Sequence, residues 1–188
     1  MPSISTLIKS GKTIFTTKEL SDLWDVSYDS TKTSTLRKIK NEEFIYLKRG
    51  IFALSENYNK YELACKIMHG SYISLYTVLK DEGVIFQEFR TIYLIGTRAK
   101  EILIKNIRYE YHTIQNILYL TLGVKFYKNY SIATKERAIL DSFFLFDTDF
   151  SDFNINSFDT ELFLKLSKFY NKKTQKKAKI FLEHFNLI

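Results

Sequence analysis

The chain has 188 residues, 45% hydrophobic and 26% charged, so it is long and apolar enough to bury a core in one large or two small domains, and a disordered chain is excluded. Lys+Arg 28 against Asp+Glu 21 leaves a net charge of +7, which fits phosphate neutralisation on a nucleic acid. No apolar run approaches the ~18 residues of a bilayer span, Met1–Ser5 lacks a secretory pattern, and the single cysteine, Cys65, excludes an internal disulfide and a cysteine-based zinc site, so a cytoplasmic protein with no membrane segment is expected.

In chain order, a short helix is expected from about Ser3 to Ser10, stopped by Gly11, and then a strand at Thr13–Thr16. Thr17 reads as the N-cap of a helix carrying Leu20, Leu23 and Trp24 at i, i+3 and i+4. Asp25–Asp29 reads as a turn, and Ser30 or Thr31 caps a helix that carries Leu36 and Ile39 to about Asn41. Phe44–Leu54 reads as two strands around Lys48-Arg49-Gly50, with Gly50 supplying the positive φ of a tight hairpin. Polar Ser55–Lys60 is the expected domain boundary. It gives a first domain over 1–57 and a second over 58–188.

The second part reads as mixed. Helices are expected at about Lys60–Met68, Ser74–Glu82, Thr134–Phe146, Phe158–Phe169 and Thr174–Phe185. Strands are expected at Thr91–Ile95, Arg108–Thr113 and Val124–Tyr127. The last helix carries Ala178, Phe181, Leu182 and Phe185 at i, i+3, i+4 and i+7, which predicts one buried face.

Helix, strand, helix, turn, helix, hairpin is the element order of a winged helix-turn-helix, whose second helix of the pair enters the DNA major groove. If Leu36 and Ile39 mark the buried direction, the opposite face holds Ser30, Thr31, Ser34, Arg37, Lys38 and Asn41. Small hydroxyl residues at a helix start allow close approach to a phosphate. Arg37 suits a guanine edge and Lys38 a phosphate, while Lys48 and Arg49 at the hairpin tip suit the backbone or minor groove. Residues 1–57 hold nine cations and seven acids, a surplus of only +2, so the basic footprint is local.

The sequence also resembles a known family, the abortive-infection E (AbiEi-like) type IV antitoxins, which double as transcriptional regulators. The likeness covers roughly residues 5 to 146 and rests on three stretches. These are the hairpin Leu47-Lys48-Arg49-Gly50-Ile51-Phe52-Ala53-Leu54; the stretch Tyr72-Ile73-Ser74-Leu75-Tyr76-Thr77-Val78-Leu79, followed by Glu82-Gly83; and Ala133-Thr134-Lys135-Glu136-Arg137-Ala138-Ile139-Leu140-Asp141. The family often has histidine at the position of Glu82 and proline at that of Lys135. The resemblance implies a repressor that binds inverted repeats of double-stranded operator DNA through its first domain. It also implies an antitoxin in phage defence that counteracts a nucleotidyltransferase-like toxin functionally, without a stable complex.

Residue chemistry adds further expectations. Thr134 is a good N-cap, and Arg137 and Asp141, four apart, predict an exposed pair worth ~0.3–0.5 kcal/mol on a helix that locks the second domain. Lys172, Lys173, Lys176 and Lys177 crowd a helix start, where cations oppose the helix dipole; they read either as a solvated face or as a second nucleic-acid contact. Catalysis is not expected, and neither is a metal site or cofactor. His69, His112 and His184 lack metal spacing, and Asp147, Asp149 and Asp152 miss an EF-hand and read as a polar loop. Cys65 reads as a buried thiol and the many aromatic residues as core. The fold class expected is α+β, an N-terminal winged helix-turn-helix followed by a mixed helix–sheet domain. The alternatives are a stand-alone winged-helix regulator, a protein-interaction module, or an enzyme that modifies a toxin or nucleotide.

Overall fold

In a computed structural model, which describes residues 4–114 and 122–188, the chain is mixed α+β, with eight helices and two sheets among the described residues. None of those helices is long and apolar enough to cross a membrane. The chain divides into two compact units, Met1–His69 and Gly70–Ile188.

The first unit runs α1 (Ile4–Lys9), β1 (Ile14–Thr16), α2 (Thr17–Trp24), α3 (Tyr28–Lys40), β2 (Ile45–Lys48), β3 (Ile51–Ala53) and α4 (Lys60–Ile67). Its sheet has the order β1-β3-β2, all antiparallel. The strands turn at Arg49-Gly50, and Gly50 has the expected positive φ of 75°. The core is Leu7, Phe15, Leu20, Phe44 and Phe52, with Trp24 and Ile39 packed against it. Trp24 stacks on Phe44, their ring centroids 6.2 Å apart.

Two helix starts differ from expectation. Thr16, not Thr17, caps α2, because Glu19 completes a capping box by accepting from the Thr16 N–H at 2.9 Å. Ser27, not Ser30 or Thr31, caps α3 and accepts from the Ser30 N–H at 3.2 Å. The helix expected to open the second domain, α4, packs in the first unit. The Thr13 N–H and hydroxyl donate to the fully buried Glu62 at 2.9 and 2.8 Å, and Lys66 meets Glu19 at 2.5 Å.

The second unit contains β4 (Tyr72–Ile73), α5 (Leu75–Asp81), β5 (Thr91–Ile95), β6 (Lys100–Ile104), β7 (Ile107–His112), β8 (Val124–Phe126), β9 (Ser131–Ala133), α6 (Lys135–Phe146), α7 (Thr160–Ser167) and α8 (Lys172–His184). Its sheet has the order β6-β7-β5-β4-β9-β8, mixing parallel and antiparallel pairs. Three of these strands, β4, β6 and β9, were not expected. Strand β6 joins β7 through Lys105-Asn106, both at positive φ (48° and 64°). That is the backbone of a two-residue hairpin turn, without the glycine that would announce it. Helix α6 is buried on all sides from Glu136 to Phe143 and packs against α5, α7 and α8.

Candidate nucleic-acid interface

The orientation of α3 decides which side chains are offered to a partner. Thr31 and Thr35, four apart, are its fully buried residues. The Thr31 hydroxyl donates to the Ser27 carbonyl at 2.9 Å, and the Thr35 hydroxyl donates to the Thr31 carbonyl. A threonine whose hydroxyl is satisfied by the preceding turn presents a methyl group to the core, so these two behave as apolar residues. Leu36, assumed to mark the interior, is 67% exposed, while Ile39 does pack inward. The helix is therefore turned by roughly one residue, ~100°, from the expected setting.

This turn corrects part of the expected face. Thr31 is inside and offers nothing to a duplex. Lys38 is largely covered: its ammonium meets Glu43 at 2.7 Å and sits 5.8 Å from the centre of the Phe44 ring. A cation already paired and lying over a ring is a structural clamp, so Lys38 is not a free phosphate contact. Ser34 is half-buried. Ser30, Arg37 and Asn41 are exposed, and Thr33, Leu36 and Lys40 join them outside. The Ser30 hydroxyl also accepts from the Ser27 hydroxyl at 2.9 Å, which fixes it at the helix start.

The hairpin tip is held close to α2. The Thr17 N–H donates to the Gly50 carbonyl at 3.0 Å, continuing the pairing of Thr16 with Ile51. This bond brings Arg49 and Lys18, both exposed, each to within one residue of the same point. Lys48 is half-buried on β2, beside the register shift between Tyr46 and Lys48. Lys18 has no signal in sequence periodicity; only the strand pairing and the Thr17–Gly50 bond bring it into view.

Behind this surface, Glu19 ties the unit together. Partial burial raises its pKa, but Lys12 at 2.7 Å, Lys66 at 2.5 Å and the Thr16 N–H outweigh burial and hold it down at about 2.

In the second unit, the two stretches that carry the family resemblance meet. Asp141 of α6 is fully buried and accepts from Ser74 at 2.7 Å, Tyr170 at 2.5 Å and Tyr72 at 3.2 Å. Arg137, also buried, lies 3.5 Å from Asp141 and donates to the Tyr72 hydroxyl at 3.0 Å and the Leu122 carbonyl at 2.8 Å. The expected exposed Arg137–Asp141 pair is thus a buried network, because α6 is central rather than peripheral. Burial pushes the Asp141 carboxyl above its usual range, against the pull of Arg137 and the three hydroxyls. Burial also pushes the Tyr72 and Tyr170 phenols well above theirs. Ser74 gives its hydroxyl to Asp141 and makes no side-chain cap for α5, and the next residue, Leu75, sits at φ 56°, a strained setting for a buried leucine.

The C-terminal lysines divide into two pairs. Lys173 and Lys177 converge on Asp147 at 2.9 and 2.6 Å, and Lys177 also donates to the Asp147 carbonyl at 2.7 Å, at the end of α6. Lys177 lies 5.2 Å from the centre of the Phe143 ring. Two cations on a helix end suit its dipole, so this pair closes α6 instead of waiting for a polyanion. Lys177, only 19% exposed, is therefore not a free contact. Lys172 and Lys176 point outward. Over residues 160–188 there are seven cations and two acids, a surplus of +5.

Cys65 is half-buried rather than buried. Among the described residues, no group of three or more His, Cys, Asp or Glu side chains is placed to hold a metal. No protein-family model matches the chain, and no curated protein matches it.

Proposed function

We propose that the chain is a DNA-binding transcriptional repressor whose first unit works as a winged helix-turn-helix. The observation that carries this reading is the outward face of α3, where Ser30, Thr33, Leu36, Arg37 and Lys40 are all exposed, together with an exposed Arg49 at the hairpin tip of the same unit. The order α1-β1-α2-α3-β2-β3, with β3 between β1 and β2, supports it. In the groove, Arg37 reads a guanine edge, Lys40 meets a phosphate, and Leu36 covers a thymine methyl. Arg49 and Lys18 grip the flanking backbone, and Lys172 and Lys176 make a second, sequence-independent contact.

The antitoxin role is part of the same proposal. It rests on the resemblance to the abortive-infection E regulators. The meeting of Tyr72 and Ser74 with Arg137 and Asp141 supports reading the two motifs as one architectural signature. The partners are an operator with inverted repeats and a nucleotidyltransferase-like toxin, opposed functionally rather than by a stable complex.

Two measurements test these readings separately. In a fluorescence-anisotropy titration, the full chain binds its upstream region at least about 10³-fold tighter than an unrelated duplex, and log K falls linearly with log salt. Equal affinity for both duplexes at every salt concentration refutes the regulator. Co-expression with the neighbouring toxin frame rescues growth; persistent arrest beside intact promoter binding removes the antitoxin and leaves the repressor.

A further inference from the structure

The second unit holds a cleft of about 680 Å³ that the DNA-binding reading does not use. Its walls are aromatic: Tyr76, Phe86, Phe89 and Phe153. Among the described residues, the charged groups that line it are Asp149 and Asp152. Phe86 is 78% exposed at the rim. Tyr76 is fixed between Phe89 at 5.6 Å and Phe146 at 5.5 Å, both stacked on it, and its hydroxyl lies 3.0 Å from Thr148. Tyr76 and Phe89 are therefore a fixed part of the wall.

The carboxylates are equally well placed. Asp149 accepts from the Phe150 and Ser151 N–H groups at 2.7 and 3.2 Å and from the Ser151 hydroxyl at 3.0 Å, which fixes its direction and favours its charged form. Asp152 is exposed in the adjoining turn. The nearby cation, Lys177, is already bound to Asp147. On a chain of net charge +7, Asp152 and Asp149, the latter also held in its charged form by Lys177, give the lining of this cleft a local field of the opposite sign.

We propose that this cleft docks an arginine side chain carried on a segment of a partner protein. A guanidinium is planar, stacks on an aromatic face, and presents a fork of donors to carboxylates. Phe86 provides the face, and Asp149 and Asp152 provide the acceptors. The open rim at Phe86 lets the rest of a polypeptide leave into solvent, whereas a small free ligand is usually enclosed over most of its surface.

The test uses the full chain and the peptide acetyl-Gly-Arg-Gly-Arg-Gly-amide, with a second peptide in which citrulline replaces arginine. Calorimetry and chemical-shift mapping are read at low salt. The arginine peptide binds and shifts signals of Phe86 and Phe89. Phe86→Ala and Asp152→Asn each weaken it about two- to fivefold and together about tenfold. The citrulline peptide binds at least about tenfold more weakly. Glu161→Gln, which removes an exposed carboxylate from α7, leaves affinity unchanged. Equal binding of the citrulline peptide, an equal loss with Glu161→Gln, or no binding by the arginine peptide overturns the proposal. Self-association that Asp152→Asn abolishes, without peptide binding, also overturns it and gives the cleft to a second copy of the chain.

Discussion

Arg137→Met separates a buried network from a surface ion pair by about tenfold in energy. An exposed i,i+4 pair on α6 would contribute ~0.3–0.5 kcal/mol. The structure places Arg137 and Asp141 at 2% and 0% side-chain exposure. Met fills much of the volume of the arginine stem but strips Asp141 of its cation, and it removes the guanidinium donation to the Leu122 carbonyl and the Tyr72 hydroxyl. Breaking a buried pair in this one-sided way costs about 3–5 kcal/mol. At ~2–4 °C per kcal/mol for a chain of this size, the melting point falls by about 10 °C. The loss also depends on pH. Burial already raises the Asp141 pKa, and removing Arg137 raises it further. The folded variant then keeps a proton that the unfolded chain releases above pH ~4. Its stability deficit is therefore smallest below that pH and grows as pH rises through the raised folded value. Urea unfolding followed by far-ultraviolet circular dichroism between pH 4 and 8, with amide exchange of α6, reads both effects. A loss below ~0.5 kcal/mol with no pH dependence would refute a buried network.

Other outcomes follow from the same contacts. Thr31→Val keeps the buried methyl and gives up one internal hydrogen bond, so stability changes by about 1 kcal/mol or less in a thermal melt. A change above about 3 kcal/mol contradicts the assigned role. Gly123→Ala places a Cβ 2.9 Å from Leu166 and 3.2 Å from Arg137 at φ 72°, which costs about 1–3 kcal/mol by denaturant unfolding. The Glu19 carboxyl titrates near 2 in a carbon-detected pH series, so its stabilisation, complete above the unfolded value near 4.5, is lost as pH falls toward 2. A midpoint above 4 would show that Lys12 and Lys66 do not hold it. Lys177→Gln lowers stability measurably while Lys176→Gln does not, since Lys177, with Lys173, closes the end of α6; equal effects in parallel melts would contradict that division.

Much of the element order is legible in the sequence because it rests on strong local signals. The Leu20 side of α2, the Gly50 turn and the apolar stripe of α8 are examples. The face of α3 was not legible. Hydropathy ranks Leu36 above Thr31 and Thr35, but two threonines that return their hydroxyls to the preceding turn become core residues without changing their letter. Lys38 and Lys177 were misread for a related reason. Both look like free cations until the chain brings Glu43 and Asp147 to them. Strand β6 stayed hidden because its turn is Lys-Asn rather than a glycine pair. The Arg137–Asp141 spacing was correct, but periodicity carries no information on whether a helix lies inside or outside, and α6 is covered on every side. Lys18 and Arg49 each lie one residue from the Thr17–Gly50 hydrogen bond that follows the β1–β3 pairing.

The most direct measurement is the affinity of the full chain for its upstream duplex in one parallel series of variants: Thr31→Val, Thr33→Val, Arg37→Ala, Lys38→Met and Lys40→Ala. Arg37→Ala costs ~1–3 kcal/mol and relaxes preference at one base pair. Thr33→Val and Lys40→Ala also weaken binding, the latter on all sequences alike, while Thr31→Val and Lys38→Met leave it unchanged. Loss confined to positions 31 and 38, with 33 and 40 silent, would turn the helix back by about 100° and contradict the assigned face.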